Sequence, residues 1–203
     1  MRRTMLLFAT MALTLLVASG VALAITKIGT NGPDILRGTN KADNLLGRGG
    51  NDQIFGEGGH DNLLGGPGKD FMLTGNERLA GGGDTNLVGG PGNDAVVGGF
   101  GADNVVGNEG NDFLIGGPGL HPREAPNDKL LGRDGNDVFD VLNRPAAKDV
   151  VVCGRGFDRV FADRKDVIAP DCEKVFIGPG SQDAFFNSIP ESFFEGLNPE
   201  IFG

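Results

Sequence analysis

The chain has 203 residues, of which 36 are glycine and 11 proline, and its formal net charge is −9. Average proteins contain about 7% glycine, so the composition is not that of an ordinary globular domain, and the lack of a Gly-X-Y period excludes collagen. The excess of 27 acidic over 18 basic residues makes nucleic acids and anionic membranes poor partners. It favours a cationic partner, for which a metal ion is the compact candidate.

Residues 1–24 have the pattern of a secretory signal peptide. Arg2 and Arg3 precede an apolar run over residues 5–17, and small residues at Ala22 and Ala24 form a small-x-small cleavage site. We predict cleavage after Ala24. The alternative is an uncleaved membrane anchor, since residues 5–25 are just long enough to span a bilayer.

Residues 25–140 are dominated by a repeat of nine residues, clearest in the consecutive units 47–55, 56–64 and 65–73. Numbered from the first glycine of a unit, position 4 is glycine, position 6 aspartate and position 8 aliphatic. We count twelve units between residues 29 and 140. Position 6 is aspartate in ten of them: Asp34, Asp43, Asp52, Asp61, Asp70, Asp94, Asp103, Asp112, Asp128 and Asp137. Position 8 reads Leu36, Leu45, Ile54, Leu63, Met72, Leu79, Leu87, Val96, Val105, Leu114, Leu130 and Phe139.

Two interruptions break the period. Between residues 74 and 88 we count two units in fifteen residues, with Glu77 and Thr85 where aspartate is expected. Between residues 119 and 127 lies an insertion, 120–126, whose two prolines predict a surface loop.

Each unit divides into a glycine turn and a short strand. Glycine adopts the left-handed backbone angles that a tight turn needs, and the aliphatic residues of positions 7–9 suit a strand. Two units make one coil of eighteen residues, and coils stack as parallel strands about 4.8 Å apart with position 8 pointing inward. The predicted fold is all-β, a parallel β-roll, that is, a right-handed β-solenoid of nonapeptide repeats.

This stacking places the position-6 carboxylates of units i and i+2 above one another, in two ladders along opposite edges. Two carboxylates at strand spacing repel by ~3.5 kcal/mol at an effective dielectric constant near 20. A divalent cation between coils turns the same groups into ligands. Ca²⁺ takes 6 to 8 oxygens and accepts carboxylates and main-chain carbonyls, whereas Mg²⁺ prefers stricter octahedral geometry. Zinc and copper favour His or Cys, which the repeats lack apart from His60.

The array resembles the RTX or haemolysin-type calcium-binding repeat, Gly-Gly-x-Gly-x-Asp-x-aliphatic-x. Units 89–97 and 98–106 match it at every defined position. The resemblance implies Ca²⁺ as the bound ion, the ten aspartates as bridging ligands and the carbonyls of the preceding turn as the other ligands. The glycines so implied are Gly47, Gly49, Gly56, Gly58, Gly65, Gly66, Gly68, Gly89, Gly90, Gly92, Gly98, Gly99 and Gly101. Glu77 and Thr85 depart from the pattern, so one calcium on each edge is expected to be weakened or missing. Without calcium we expect disorder.

Residues 141–180 lose the glycine turn but keep short apolar runs, which predict degenerate coils capping the roll. Cys153 and Cys172 are the only cysteines, and an even pair in an exported protein favours a disulfide over a metal or thiol role. It would close about 18 residues and stabilise by ~3 kcal/mol. Asp149, Asp158, Asp166 and Asp171 are read as a solvated surface, with further calcium ligands as the alternative.

Residues 181–203 form a sparse, acidic tail with five phenylalanines: Phe185, Phe186, Phe193, Phe194 and Phe202. Such a tail either packs over the open end of the roll or serves as a partner-docking or export segment.

No catalytic motif accompanies the repeats, so we expect no enzyme activity. The leading hypothesis is a secreted, calcium-binding structural or adhesive module. A second is a module that binds polysaccharide, ice or another surface through the flat sheet face, where position 9 is often apolar. The absence of a threonine row, Trp and Tyr disfavours ice and carbohydrate. A third is an accessory subunit of a secreted enzyme or toxin.

Overall fold

The computed structural model describes residues 23–75, 85–117, 127–143 and 146–178, which form two parallel β-sheets wound as a solenoid. Sheet 1 contains the odd-numbered strands in the order β1-β3-β5-β7-β9-β11-β13-β15, and sheet 2 the even-numbered strands from β2 to β16. The strands are β1 (Thr26–Ile28), β2 (Ile35–Thr39), β3 (Asn44–Leu46), β4 (Gln53–Glu57), β5 (Asn62–Leu64), β6 (Phe71–Thr74), β7 (Asn86–Pro91), β8 (Ala95–Val97), β9 (Asn104–Glu109), β10 (Phe113–Ile115), β11 (Lys129–Asp134), β12 (Val138–Asp140), β13 (Val150–Arg155), β14 (Arg159–Ala162), β15 (Val167–Ile168) and β16 (Lys174–Ile177). The predicted fold class is therefore confirmed.

The glycine turns allow neighbouring coils to stack in close contact. Gly92, at position 4 of its unit, has φ +149°, and a Cβ there would collide with the carbonyl oxygen of Gly68 in the coil before. A residue with a side chain would be strained in its backbone and would also push the coils apart.

Position 8 forms the core between the two sheets. The strands are in register, so that Leu45 lies beside Leu63 in sheet 1 and Val96 beside Leu114 in sheet 2. Eleven of the twelve predicted position-8 residues are described, and all of them are buried. Side chains alternate along a strand, so positions 7 and 9 point away from this core.

The interruption after β6 contains one unit of the roll where two were predicted. β5 pairs with β7 through Asn62 and Asn86, and β6 pairs with β8 through Phe71 and Ala95. One strand, β7, therefore lies between β6 and β8 along the chain, and Thr85 takes the position-6 place before it. The prediction of a second unit there is wrong. Glu77 and Leu79 lie outside the described residues, as do the insertion 120–126 and the tail 181–203.

The segment read as a cap continues both sheets. β13 pairs with β11, β14 with β12, and β15 and β16 end sheets 1 and 2. Cys153 and Cys172 form the expected disulfide, with Cα atoms 5.3 Å apart. Asp149 and Asp158 are fully buried, so the solvated surface expected for them is wrong.

None of the described residues belongs to a helix that could cross a membrane. Residues 1–22 lie outside the described ranges, so the predicted signal peptide stays a prediction.

Leucine at position 8 should contribute far more to stability than leucine at position 9. We expect Leu114→Ala, at a fully buried side chain, to lower the free energy of unfolding by about 2–5 kcal/mol. Leu64→Ala is the matched control, because Leu64 is 41% exposed on the outer face of sheet 1 and should cost about 1 kcal/mol or less. Denaturant unfolding in saturating calcium measures both, and equal losses would contradict this assignment of the core.

Candidate metal centre

Position-6 carboxylates link each coil to the one before it along two edges. The main-chain N–H of Asp43 donates to Oδ1 of Asp61 at 2.9 Å, and that of Asp52 donates to Oδ1 of Asp70 at 2.8 Å. Edge 1, whose turns lead into sheet 1, carries Asp43, Asp61, Thr85, Asp103, Asp128, Asp149 and Asp166. Edge 2, whose turns lead into sheet 2, carries Asp34, Asp52, Asp70, Asp94, Asp112, Asp137, Asp158 and Glu173. One oxygen of each ladder carboxylate thus satisfies a main-chain donor.

The second oxygen of most of these carboxylates is buried without a hydrogen-bond partner among the described residues. The atoms concerned are Oδ2 of Asp52, Asp61, Asp70, Asp94, Asp112, Asp128, Asp137 and Asp158. A buried carboxylate oxygen with no partner is costly, so such atoms mark places where a cation is needed.

A main-chain carbonyl of the next coil faces the same place. The point where a Cβ would be built on Gly47 lies closer than 3.0 Å to both Oδ2 of Asp52 and the carbonyl oxygen of Gly65. The arrangement recurs at seven glycines: Gly29, Gly38, Gly47, Gly65, Gly89, Gly98 and Gly132. Because position 1 lacks a side chain, a carboxylate oxygen and a carbonyl oxygen converge in a space that any other residue would fill.

Burial dominates the electrostatics of these carboxylates. Desolvation raises the pKa of Asp94 and of Asp128 to about 8, and that of Asp137 to about 7. Hydrogen bonds from main-chain N–H groups act in the opposite direction, and the charges of neighbouring ladder aspartates raise the values further. Burial is therefore the first cause of these raised pKa values, and the repulsion between stacked carboxylates that the sequence suggested adds to it.

The two edges differ in whether the second carboxylate oxygen has a hydrogen-bond partner. Six of the eight unpartnered Oδ2 atoms lie on edge 2, and only those of Asp61 and Asp128 lie on edge 1. On edge 1, Oδ2 of Asp43 accepts from the Thr39 hydroxyl at 3.0 Å and Oδ2 of Asp103 from the Gly99 N–H at 2.8 Å. Edge 2 has one comparable case, where Thr30 binds Oδ2 of Asp34. Edge 2 therefore has the greater demand for cations.

The oxygen donors fit Ca²⁺ better than a transition metal. No three His, Cys, Asp or Glu side chains of the described residues converge as a metal cluster, so carboxylates must be supplemented by carbonyls. Calcium accepts this mixture in flexible geometry, whereas zinc and copper favour nitrogen and sulfur ligands.

All ten predicted aspartates lie on the two edges, nine of them buried and Asp34 half-buried. Among the predicted glycines, Gly47, Gly56, Gly65 and Gly89 direct their carbonyls to a ladder carboxylate. The remaining nine stay predictions as ligands: Gly49, Gly58, Gly66, Gly68, Gly90, Gly92, Gly98, Gly99 and Gly101. Thr85, where a weakened site was predicted, lies on edge 1, and the weakening itself stays a prediction. Edge 2 runs from Asp70 directly to Asp94, so the prediction of one weakened site on each edge is wrong.

Sequence reasoning missed the carbonyls of Gly107, Gly116 and Cys153, which face Asp94, Asp103 and Asp137 respectively. It also left Asp158 out of the ladder. The glycines at 154 and 156, spaced as at positions 2 and 4 of a unit, were the available signal for Asp158.

Stacked glycine turns and buried, unpartnered carboxylates on a parallel β-solenoid define a calcium-binding structural module. Residues 28–63, 37–72, 56–77, 88–119 and 127–141 match the family model described as RTX calcium-binding nonapeptide repeat (4 copies). These stretches of the chain are RTX calcium-binding repeats. No curated protein and no solved structure shows a significant match to it.

The raised carboxylate pKa values predict that the metal-free fold is favoured by acid. An unfolded aspartate titrates near 3.9, whereas Asp94 and Asp128 titrate at about 8 in the folded state. Between these values the folded state binds more protons than the unfolded state, so its stability falls as pH rises from about 4 to about 8. Metal-free protein should show more β-structure by far-UV circular dichroism at pH 5 than at pH 8. An equal or greater signal at pH 8 would contradict the assignment.

Proposed function

We propose that the chain is an extracellular structural or adhesive module whose coils are ordered by calcium ions bound along the edges of the roll, most of them on edge 2. Each ion would bind the second oxygen of a ladder carboxylate together with the position-1 carbonyl of the next coil. The bound ions replace the water that the carboxylates lose on folding. Calcium binding and folding are then coupled, as in other small metal-dependent domains.

The observation that supports this function most directly is the set of eight buried Oδ2 atoms that have no hydrogen-bond partner in the described part of the chain. Each unsatisfied, charged oxygen opposes folding, and a divalent cation offsets that cost. Beside four of these atoms, Oδ2 of Asp52, Asp70, Asp94 and Asp137, a glycine without a side chain leaves a space that a main-chain carbonyl of the next coil also faces.

A location outside the cell accords with three further points. The disulfide between Cys153 and Cys172 belongs to an oxidising environment. Extracellular modules bind calcium with dissociation constants of ~10⁻⁴–10⁻³ M, close to the calcium concentration outside cells. The signal-like N-terminal pattern points the same way.

Calcium titration of the metal-free mature chain at pH 7.5, followed by far-UV circular dichroism, tests the coupling. We expect a transition to β-structure with a midpoint of ~10⁻⁴–10⁻³ M that a chelator reverses. Magnesium at the same concentration should be much less effective. A spectrum that calcium leaves unchanged would refute calcium-dependent folding.

Two aspartates in neighbouring units allow calcium binding on the two edges to be compared in the same titration. Asp112, on edge 2, has an unpartnered Oδ2, whereas Oδ2 of Asp103, on edge 1, accepts from Gly99. We expect Asp112→Asn to raise the calcium midpoint more than Asp103→Asn, because only Asp112 depends on the cation for its second oxygen. Equal shifts would show that the edges bind calcium alike.

A second candidate function, polysaccharide binding, is favoured by the outer face of sheet 1. There the side-chain amides of Asn44, Asn62 and Asn86 form a row. Each Nδ2 donates to the Oδ1 of the preceding asparagine at 3.0 Å. Exposed Ile28 and Leu64 lie beside the row. These side chains line a groove of about 370 Å³. A row of amides beside aliphatic groups can bind sugar hydroxyls and the apolar faces of sugar rings. Exposed apolar patches with a polar rim often mark binding surfaces.

Co-sedimentation with chitin and cellulose in the presence of calcium tests this second function. We expect the wild-type protein to sediment, and Leu64→Lys to lower the bound fraction several-fold by placing a charge in the groove. Ile177→Lys is the control, because Ile177 is similarly exposed but lies in sheet 2. Unchanged sedimentation of the Leu64 variant, or none by the wild type, would exclude this role for the groove.

A further inference from the structure

The outer face of sheet 2 is apolar and aromatic. Side chains at positions 7 and 9 of its strands point away from the core between the two sheets. The rings of Phe55 and Phe71 meet edge to face with centroids 6.0 Å apart, and those of Phe161 and Phe176 stack at 4.8 Å. Phe113, on β10, lies between these two pairs in the order of strands. We call these five rings the aromatic face.

Most of this outward surface is buried. Phe161 is 1% exposed, Phe113 6% and Phe55 7%. Neighbours in the same sheet cover the sides of such a ring but not its top, so an open sheet face would leave these rings in contact with water. On sheet 1, Leu64 at the same repeat position as Phe55 is 41% exposed, and Val106 is the only buried side chain among the described outward residues.

The described residues do not account for this burial. Phe55, Phe71 and Ala95 cluster only with one another and with Leu73, all in strands of sheet 2. At the other end of the face, Leu142 is the one described residue outside the strands that packs against Phe113 and Phe161. A single leucine cannot cover a face that extends from β4 to β14.

The tail 181–203 has the composition and the starting point to cover the face. The described chain ends at residue 178, directly after β16, the last strand of sheet 2. Six strand steps separate β16 from β4, or about 29 Å, and an extended chain of the tail's length spans about 76 Å. Eight of its residues are large and apolar: Phe185, Phe186, Ile189, Phe193, Phe194, Leu197, Ile201 and Phe202.

The charges of the tail and of the face are of opposite sign. The tail has four acidic residues and no basic one. Positions 7 and 9 of sheet 2 carry three basic residues, Arg37, Arg159 and Lys174, against one acidic residue, Asp140. Arg159 and Lys174 are exposed on the last two strands, close to where the tail begins, so electrostatic attraction favours its docking there.

Other placements fit the structure less well. A tail that covered the open end of the roll would bury the last inward side chain of sheet 2, but Val175, the partner of the fully buried Val160, is 39% exposed. The internal segments 76–84 and 118–126 contain one large apolar residue each, Leu79 and Leu120. Neither segment offers enough apolar surface for a face of this length.

We propose that the tail 181–203 packs along the aromatic face of its own chain, with its phenylalanines against Phe55, Phe71, Phe113 and Phe161. The acidic residues of the tail then lie near Arg159 and Lys174. Phenylalanine rings bury large apolar areas and pair favourably with one another, so the tail shields a patch that would otherwise be exposed. This docking goes beyond calcium binding and does not depend on which edge of the roll holds the ions.

A dye that fluoresces on apolar surfaces, 1-anilinonaphthalene-8-sulfonate, tests the docking on the folded mature chain. Serine in place of Phe185, Phe186, Phe193 and Phe194 should raise the fluorescence several-fold, because the aromatic face loses its cover. A synthetic peptide of residues 181–203 should then lower it again. The matched control replaces Leu79 and Leu120 by serine and should leave the fluorescence unchanged. Circular dichroism checks that each variant keeps its β-structure.

Cleavage of the tail by chymotrypsin, followed by mass spectrometry, gives an independent measurement. In the wild-type chain we expect the tail to be cut at least tenfold more slowly than the free peptide, at every protein concentration. Phe113→Asp, on the aromatic face, should bring the rate close to that of the peptide, whereas Leu64→Asp, on the outer face of sheet 1, should not.

Several results would overturn the docking. Equal cleavage of the wild-type tail and the peptide would show that the tail is not held, and this comparison needs no variant to fold. Protection that is lost on dilution would assign the cover to a second copy of the chain. A fluorescence rise in the Leu79 and Leu120 variant, but not in the tail variant, would assign it to the internal segments.

Discussion

The fold depends on what happens to the two oxygens of each ladder carboxylate. One oxygen accepts a hydrogen bond from the main chain of the preceding coil and so ties the coils together. The other, in eight cases, is buried without a hydrogen-bond partner among the residues that the structure describes. The aspartate that links the coils is therefore also the group that makes stacking costly. A cation resolves this conflict because it binds the second oxygen without disturbing the first.

Much of this arrangement could be predicted from the sequence because the period of nine fixes the geometry. Once position 8 is assigned to the core, the alternation of side chains and the stacking of every second unit follow. The buried row from Leu36 to Phe139 and the two ladders of aspartate are the direct result. The disulfide was equally predictable, since the chain offers a single pair of cysteines.

Predictions from the sequence were wrong where the pairing of strands does not follow the nine-residue spacing along the chain. Asp70 bonds to Asp94 across 24 residues, so an irregular stretch that resembled two units contains one strand of the roll. Asp158 was misjudged because the position-1 glycine is missing from its unit, although its carboxylate occupies the ladder as the others do. The contrast between the edges was also hidden, since it depends on local partners such as Thr39 and the Gly99 amide. Such hydrogen bonds are visible only when side-chain positions are known.

The hydrogen bonds of the ladder all run in one direction. From Ile25 to Asp158, the donor is a main-chain N–H and its acceptor is a carboxylate later in the chain, except at the Asp61–Thr85 step, where threonine replaces the aspartate. The roll therefore has a polarity: loss of its first coil leaves a spare acceptor, whereas loss of its last coil leaves a buried donor unsatisfied, which is the more costly defect. During synthesis each coil would wait for the next one to emerge. The terminal turn with Glu173 ends this dependence, since its acceptor comes from a side chain that needs no further coil.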